Sequence, residues 1–210
     1  MAYGRLITFE GGEGAGKSTQ VGRLADRLRA ANLDVVVTRE PGGTPGAESV
    51  RRLLVEGAAD RWSAGTELML INAARMDHVE RLVAPAIHRG AWVLCDRFVD
   101  STRVYQGLVG GVGVDLVDRL HGDFLGLPWP DLTILLDLDS GAGLERRHQG
   151  GGGSRFEAKG DEFHEQVREG FLALAASEPN RIIVVDAEPS AAAVESEIAN
   201  VVTGRLGHLL

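Results

Sequence analysis

The chain has 210 residues, 44% hydrophobic and 25% charged, the balance of an ordinary globular protein long enough to bury a core. Its formal net charge of −8 argues against broad nucleic-acid binding, so an anionic ligand must be met by a local cluster of arginines. The single cysteine, Cys95, excludes an intramolecular disulfide and suits a reducing compartment. No apolar run approaches the ~18 residues of a membrane span, and the start lacks a secretory signal pattern, so no membrane partner and a cytoplasmic location are expected.

The first predicted element is an apolar strand, Arg5 to Glu10, leading into Gly11-Gly12-Glu13-Gly14-Ala15-Gly16-Lys17-Ser18. This fits G-x-x-x-x-G-K-[ST], a phosphate-binding loop for a nucleoside triphosphate. Glycines let backbone N–H groups wrap a polyphosphate, and the helix predicted from Thr19 to Ala31 adds its positive N-terminal end. Lys17 is placed to reach the terminal phosphates of that nucleotide, and the Ser18 hydroxyl to hold Mg2+. Asp34 to Thr38 reads as a buried parallel strand. It runs into Arg39-Glu40-Pro41-Gly42-Gly43-Thr44, which is either a plain connection or a ligand loop at the carboxyl end of a strand. A short helix from Ala47 to Glu56 precedes a longer one from Ala64 to about Arg89. The long helix is apolar on several sides, which fits a crowded core or a subunit interface.

Ala91 to Cys95 is the next strand, ending in Asp96-Arg97, with Ser101 expected to cap a following helix. Gly107 to Gly113 reads as a loop and Val114 to Leu125 as helix. Leu132 to Asp137 is a strand, followed by a helix from Gly141 to His148. Asp137 and Asp139 suit either a metal or, for Asp139, a helix cap. The stretch Gly150 to Ser154, flanked by Arg146, Arg147 and Arg155, is a catalytic flap or an inert linker by composition. Helix from Gly160 to Ala176, strand from Arg181 to Asp186 and helix from Ser190 to Leu206 complete the chain. Strands alternating with helices predict an α/β fold with a mainly parallel sheet, one domain over residues 1–210. Cys95 and Trp62, Trp92 and Trp129 read as packing residues, and the scattered histidines offer no zinc site.

Phosphoryl transfer to a small acceptor suits these features better than a partner-controlled nucleotide switch, which would leave the Arg39 and Arg97 segments without a purpose. Several segments are similar to bacterial thymidylate kinases: Phe9 to Thr19, Thr38 to Thr44, Ala73-Ala74-Arg75 with His78-Val79-Glu80, Asp96 to Gly107, and Ser154-Arg155-Phe156-Glu157. The pairing of Arg-Glu-Pro-Gly-Gly with Asp-Arg-x4-Ser/Thr-x2-Tyr-Gln is the specific part. This resemblance implies a P-loop three-layer sandwich with a five-stranded sheet of order 2-3-1-4-5, a homodimer, and the reaction dTMP + ATP → dTDP + ADP with Mg2+.

It also implies residue roles. Gly11 to Thr19 would bind the ATP phosphates. Arg97 would hold the acceptor phosphate with Arg51 and Arg39 nearby, and Glu40 and Pro41 belong to the same dTMP site. Arg75 and Gln106 would hydrogen-bond thymine beside Thr102, Tyr105 would pack against the sugar, and Glu13 would lie near its hydroxyl. Asp96 would orient Arg97 or a water on the metal. Some members of the family carry a basic residue inside the phosphate loop, but none stands before Lys17 here. The resemblance is thus to the subgroup whose catalytic arginine comes from a flap, over about residues 146–160, with Arg155 first and Arg146 second, while Arg147 solvates a helix end. One departure is Ile71, four residues before Arg75, where the family usually has a phenylalanine stacked on thymine. A looser base pocket is expected.

Overall fold

The computed structural model describes residues 4–58, 60–149, 156 and 159–207. Five parallel strands form one sheet in the order β2-β3-β1-β4-β5: β1 Arg5–Glu10, β2 Val35–Arg39, β3 Trp92–Asp96, β4 Leu132–Asp137 and β5 Ile182–Asp186. The central strands β1, β3 and β4 are buried along nearly their whole length, as continuous apolar runs covered on both faces must be. Strand β2 departs from expectation. It pairs in parallel with β3 but is an edge strand with Val37 45% exposed, because its apolar run has a neighbour on one side only.

Alternation along β1 divides the core. Ile7 and Phe9 face helix α1 (Lys17–Ala30) and helix α9 (Ala191–Leu206) in one apolar cluster. Leu6 points to the opposite face, into a cluster with α3 (Ala64–His78), a π-helical turn over Val79–Val83, and α4 (Ala84–His88). Helix α8 (Asp161–Ser177) covers β4 and β5 through Val167, Phe171 and Leu174. The result is a three-layer sandwich.

The long helix expected from Ala64 is one continuous element, α3 through α4, with the π turn widening it just before Pro85. Proline has no N–H to donate and clashes with the preceding turn, which the wider turn relieves. Two expectations near β3 need correction. Ser101 caps no helix: α5 (Val99–Thr102) starts earlier and runs on as a π-helical segment over Arg103–Val109. Gly107 therefore sits within that helix, and the loop begins only at Gly110. Asp139 does cap α7 (Ser140–Gln149), accepting from the Ala142 backbone N–H at 3.1 Å, while Asp137 is engaged by Arg168 at 2.7 Å. The expected flap lies for the most part outside the described residues, and Arg155 with it.

Candidate active site

The phosphate loop leaves β1 at Glu10 and enters α1 at Lys17, with Gly14 and Gly16 in left-handed conformations. At Gly14 the requirement is also one of space. A Cβ there would sit 1.9 Å from the Gly143 carbonyl oxygen, and one on Gly143 would sit 2.3 Å from the Glu13 carbonyl oxygen. The loop and the first turn of α7 thus meet backbone to backbone, which couples the phosphate site to the base of the helix that precedes the flap. Lys17 donates to the carbonyl oxygens of Gly11 at 3.1 Å and Gly12 at 2.6 Å. Burial, then the neighbouring Arg97, lower its pKa to about 8, a cost that an anion beside it would offset. The Ala15 methyl is turned into the core, so only its backbone faces the loop.

A cavity of about 490 Å³ extends from this loop across the carboxyl ends of β1, β2 and β3. It is lined at one end by Glu13, Gly14, Gly16, Lys17, Ser18, Thr19 and Asp96, and at the other by Ile71, Arg75, Phe98, Thr102, Tyr105 and Gln106. Arg39, Glu40, Pro41, Arg51, Leu54, Val55, Arg97, Ser101, Arg146 and Phe156 complete the lining. The sheet order explains this gathering: β3 lies between β1 and β2, so loops distant in sequence leave from adjacent strand ends.

Arg97 stands between the two ends. Its backbone is left-handed (φ 66°), uncommon for a residue with a side chain, and its N–H is held by the Phe9 carbonyl at 2.9 Å. Its guanidinium donates to Glu13 Oε1 at 2.9 Å and Ser101 Oγ at 3.1 Å, and lies over the Tyr105 ring at 5.3 Å. Arg51 is tied to the Pro41 carbonyl at 2.7 Å, and the more exposed Arg39 pairs with Glu48 at 3.1 Å. Ser18 Oγ donates to Asp96 Oδ2 at 2.6 Å, so Asp96 meets the serine of the phosphate loop. Arg146 donates to the Ala187 carbonyl at 3.1 Å at the rim.

Toward the base end, Arg75 is almost fully buried and gives Nε to Glu40 at 2.7 Å and Nη2 to Thr102 Oγ1 at 2.8 Å. The second Glu40 oxygen meets His78 Nδ1 at 2.8 Å. Burial pushes the Glu40 carboxyl up, but Arg75 and His78 together outweigh it and hold the group below its ordinary value. Glu40 lines the cavity, yet both its oxygens are engaged in orienting Arg75 and His78.

The family model described as thymidylate kinase matches residues 9–198. The chain belongs to the thymidylate kinase family. It is 56% identical to a thymidylate kinase of Caulobacter vibrioides, over 99% of this chain and 100% of that one. It is 49% identical to one of Ruegeria pomeroyi, over 97% and 96% of the two chains. The crystal structure of thymidylate kinase from Ehrlichia chaffeensis superimposes with a TM-score of 0.78 at 33% identity, covering 95% of this chain and 99% of that one. Sheet order 2-3-1-4-5 and the P-loop fold are as the family resemblance implied.

Several residues of this thymidylate kinase site escaped the sequence reading. Ser101 braces Arg97, Glu67 holds Gln106 Nε2 at 2.8 Å, and His78 braces Glu40. Glu10 is the most consequential. It ends a strand whose even positions face the α3 side, so its carboxylate is wholly buried there. It accepts from the Phe98 N–H at 2.8 Å, the Ser101 N–H at 3.2 Å and Ser101 Oγ at 2.6 Å, and so fixes the turn that carries Arg97. A carboxylate at the end of an otherwise apolar, doubly covered strand was the available signal.

Burial, then Asp100, raise the Glu10 pKa from 4.5 to about 7. Between those values the folded protein holds a proton that the unfolded chain has lost, so this group makes stability fall as pH rises from about 4.5 to 7, by roughly 3 kcal/mol at most. The expected result is that Glu10→Gln gains stability relative to the parent between pH 5 and pH 8. Denaturant unfolding of both proteins at the two pH values measures it, and a difference that does not change with pH contradicts the assignment.

Proposed function

We propose a division of labour for the transfer of the γ-phosphoryl group of ATP to dTMP, the reaction of this family. The observation that carries it is the single cavity in which the Lys17 loop, Arg97 and the Arg75–Gln106 pocket face one another. The backbone of Gly11 to Thr19 and Lys17 bind the ATP phosphates, and Arg97, with Arg51 and Arg39, binds the acceptor phosphate. An oxygen of that phosphate bonds to the γ-phosphorus as the bond to the β-bridging oxygen breaks and ADP leaves. A phosphate anion needs no strong base, so positioning and charge neutralisation carry the chemistry. Arg155 and Arg146 supply positive charge from the flap side. Arg75 and Gln106 contact thymine beside Thr102, with Ile71 over the base, and Tyr105 and Glu13 lie at the sugar.

Ser18 and Asp96 present hard oxygen donors 2.6 Å apart beside the phosphate loop, a set that fits Mg2+ completed by phosphate oxygens and water. When bound, Mg2+ would neutralise charge on the β- and γ-phosphates. We further infer one kinase domain, a cytoplasmic location, which the use of a single cysteine suits, and a homodimer. The dimer is supported by an exposed apolar stripe on α3, Met69, Ala73 and Met76. Sedimentation of the protein, and of Met69→Lys/Met76→Lys, tests it; a monomer in the parent ends that reading.

Mg2+-ATP-dependent ADP release with dTMP, dUMP, dGMP, dCMP, AMP and no acceptor tests the main assignment. Turnover is expected with dTMP well above the others, and an equal rate without acceptor would refute it. The aliphatic side chain at 71 gives a second test. Ile71→Phe is expected to tighten dTMP about tenfold, since base–aromatic stacking contributes ~1–3 kcal/mol in nucleic-acid binding proteins. Calorimetric titration with dTMP reads the change, and unaltered affinity would mean that Ile71 does not cover the base.

A further inference from the structure

The two helices that flank the base end of the cavity meet in register. Glu67, Ile71 and Arg75 occupy successive turns on one face of α3, and Thr102 and Gln106 stand four apart on the facing helix. Arg75 pairs with Thr102 at 2.8 Å, and Gln106 Nε2 donates to Glu67 Oε2 at 2.8 Å. Arg75 and Gln106, which line the cavity, each retain one buried polar atom with no hydrogen-bond partner: Nη1 of Arg75, a donor, and Oε1 of Gln106, an acceptor. The orientation of a glutamine amide is set by its partners. Here the partner is a carboxylate, which accepts hydrogen bonds and returns none, so Nε2 must face Glu67 and Oε1 must face away.

We propose that Glu67 is a specificity-determining positioning residue: by holding the Gln106 amide in one orientation it presents an acceptor, beside the Arg75 donor, to the edge of the bound base. Resting on the thymine placement above, the pair complements the ring N–H and carbonyl oxygen shared by thymine and uracil. It opposes the ring nitrogen lone pair and amino group of cytosine. Buried polar groups left facing like partners are what give such a site its discrimination. Glu67 touches the base only through Gln106.

The test is the ratio of dissociation constants for dCMP and dUMP, measured by competition against dTMP; these two nucleotides differ only along this edge. The parent protein is expected to bind dUMP far more tightly than dCMP. In Glu67→Gln the amide can turn over, and the ratio is expected to contract at least about tenfold, the discrimination that one such contact carries. Glu67→Asp, which keeps the charge but withdraws the oxygen, should act in the same direction. The exchange Glu67→Gln/Gln106→Glu again fixes an acceptor toward the base and should restore the ratio. If these single substitutions weaken dUMP and dCMP equally, Glu67 is merely structural and the proposal fails. A parent protein that does not separate dUMP from dCMP would instead overturn the thymine placement itself.

Discussion

Replacing Arg97 by lysine is expected to lower kcat/KM for dTMP by about 10²–10³, the loss seen when one transition-state donor is removed from a preorganised site. The guanidinium is held by Glu13 at 2.9 Å and Ser101 at 3.1 Å, and Ser101 is in turn fixed by the buried Glu10. That leaves a planar fork aimed into the cavity, able to take two phosphate oxygens together. A lysine supplies the same charge at a single point and lacks the pair of parallel donors that holds two phosphate oxygens at once. Because lysine tolerates the left-handed backbone no worse than arginine, folding should be preserved and KM for ATP little changed. Steady-state kinetics with each substrate varied distinguishes the cases. A loss within fivefold would show that Arg51 or Arg39 carries the acceptor phosphate instead.

The second large effect is expected at Glu40. Glu40→Gln leaves the buried guanidinium of Arg75 without its counter-ion, with Arg75 only 1% exposed and His78 fully buried beside it. Breaking one side of a buried pair typically costs about 3–5 kcal/mol, because the remaining charge is desolvated and unpaired. In a chain of this length that corresponds to a fall in Tm of roughly 10 °C. The double variant Glu40→Gln/Arg75→Met, which removes both charges, should recover much of the stability but not dTMP binding. Thermal and denaturant unfolding of both variants give the stabilities, and dTMP titration gives the pocket. Loss below about 1 kcal/mol in the single variant would mean that water from the cavity solvates Arg75 and that the ion pair is not what holds it.

The phosphate loop was legible in the sequence because its chemistry is local. Glycines, lysine and serine must follow one another at fixed spacing to wrap a polyphosphate, and a strand before with a helix after confirms the turn. Elements with strong periodicity were legible for the same reason. Neighbouring residues alone settle whether a stretch such as Leu132 to Asp137 is a strand.

Strand burial was not local. Val35 to Arg39 and Trp92 to Asp96 are both apolar runs, yet one is an edge and the other central, and only pairing with β1 and β3 decides which. The supports of the site were hidden in the same way. Ser101 looked like a helix cap because serine favours caps, whereas in the fold its hydroxyl is claimed by Glu10, 91 positions away in sequence. Glu67 and Gln106 stand 39 residues apart, and Glu40 and Arg75 stand 35 apart. The sequence by itself determined the phosphate chemistry and the family. The tertiary structure decided which polar groups satisfy one another in the interior, because a buried charge or amide is oriented by whatever partner the packing brings within 3 Å.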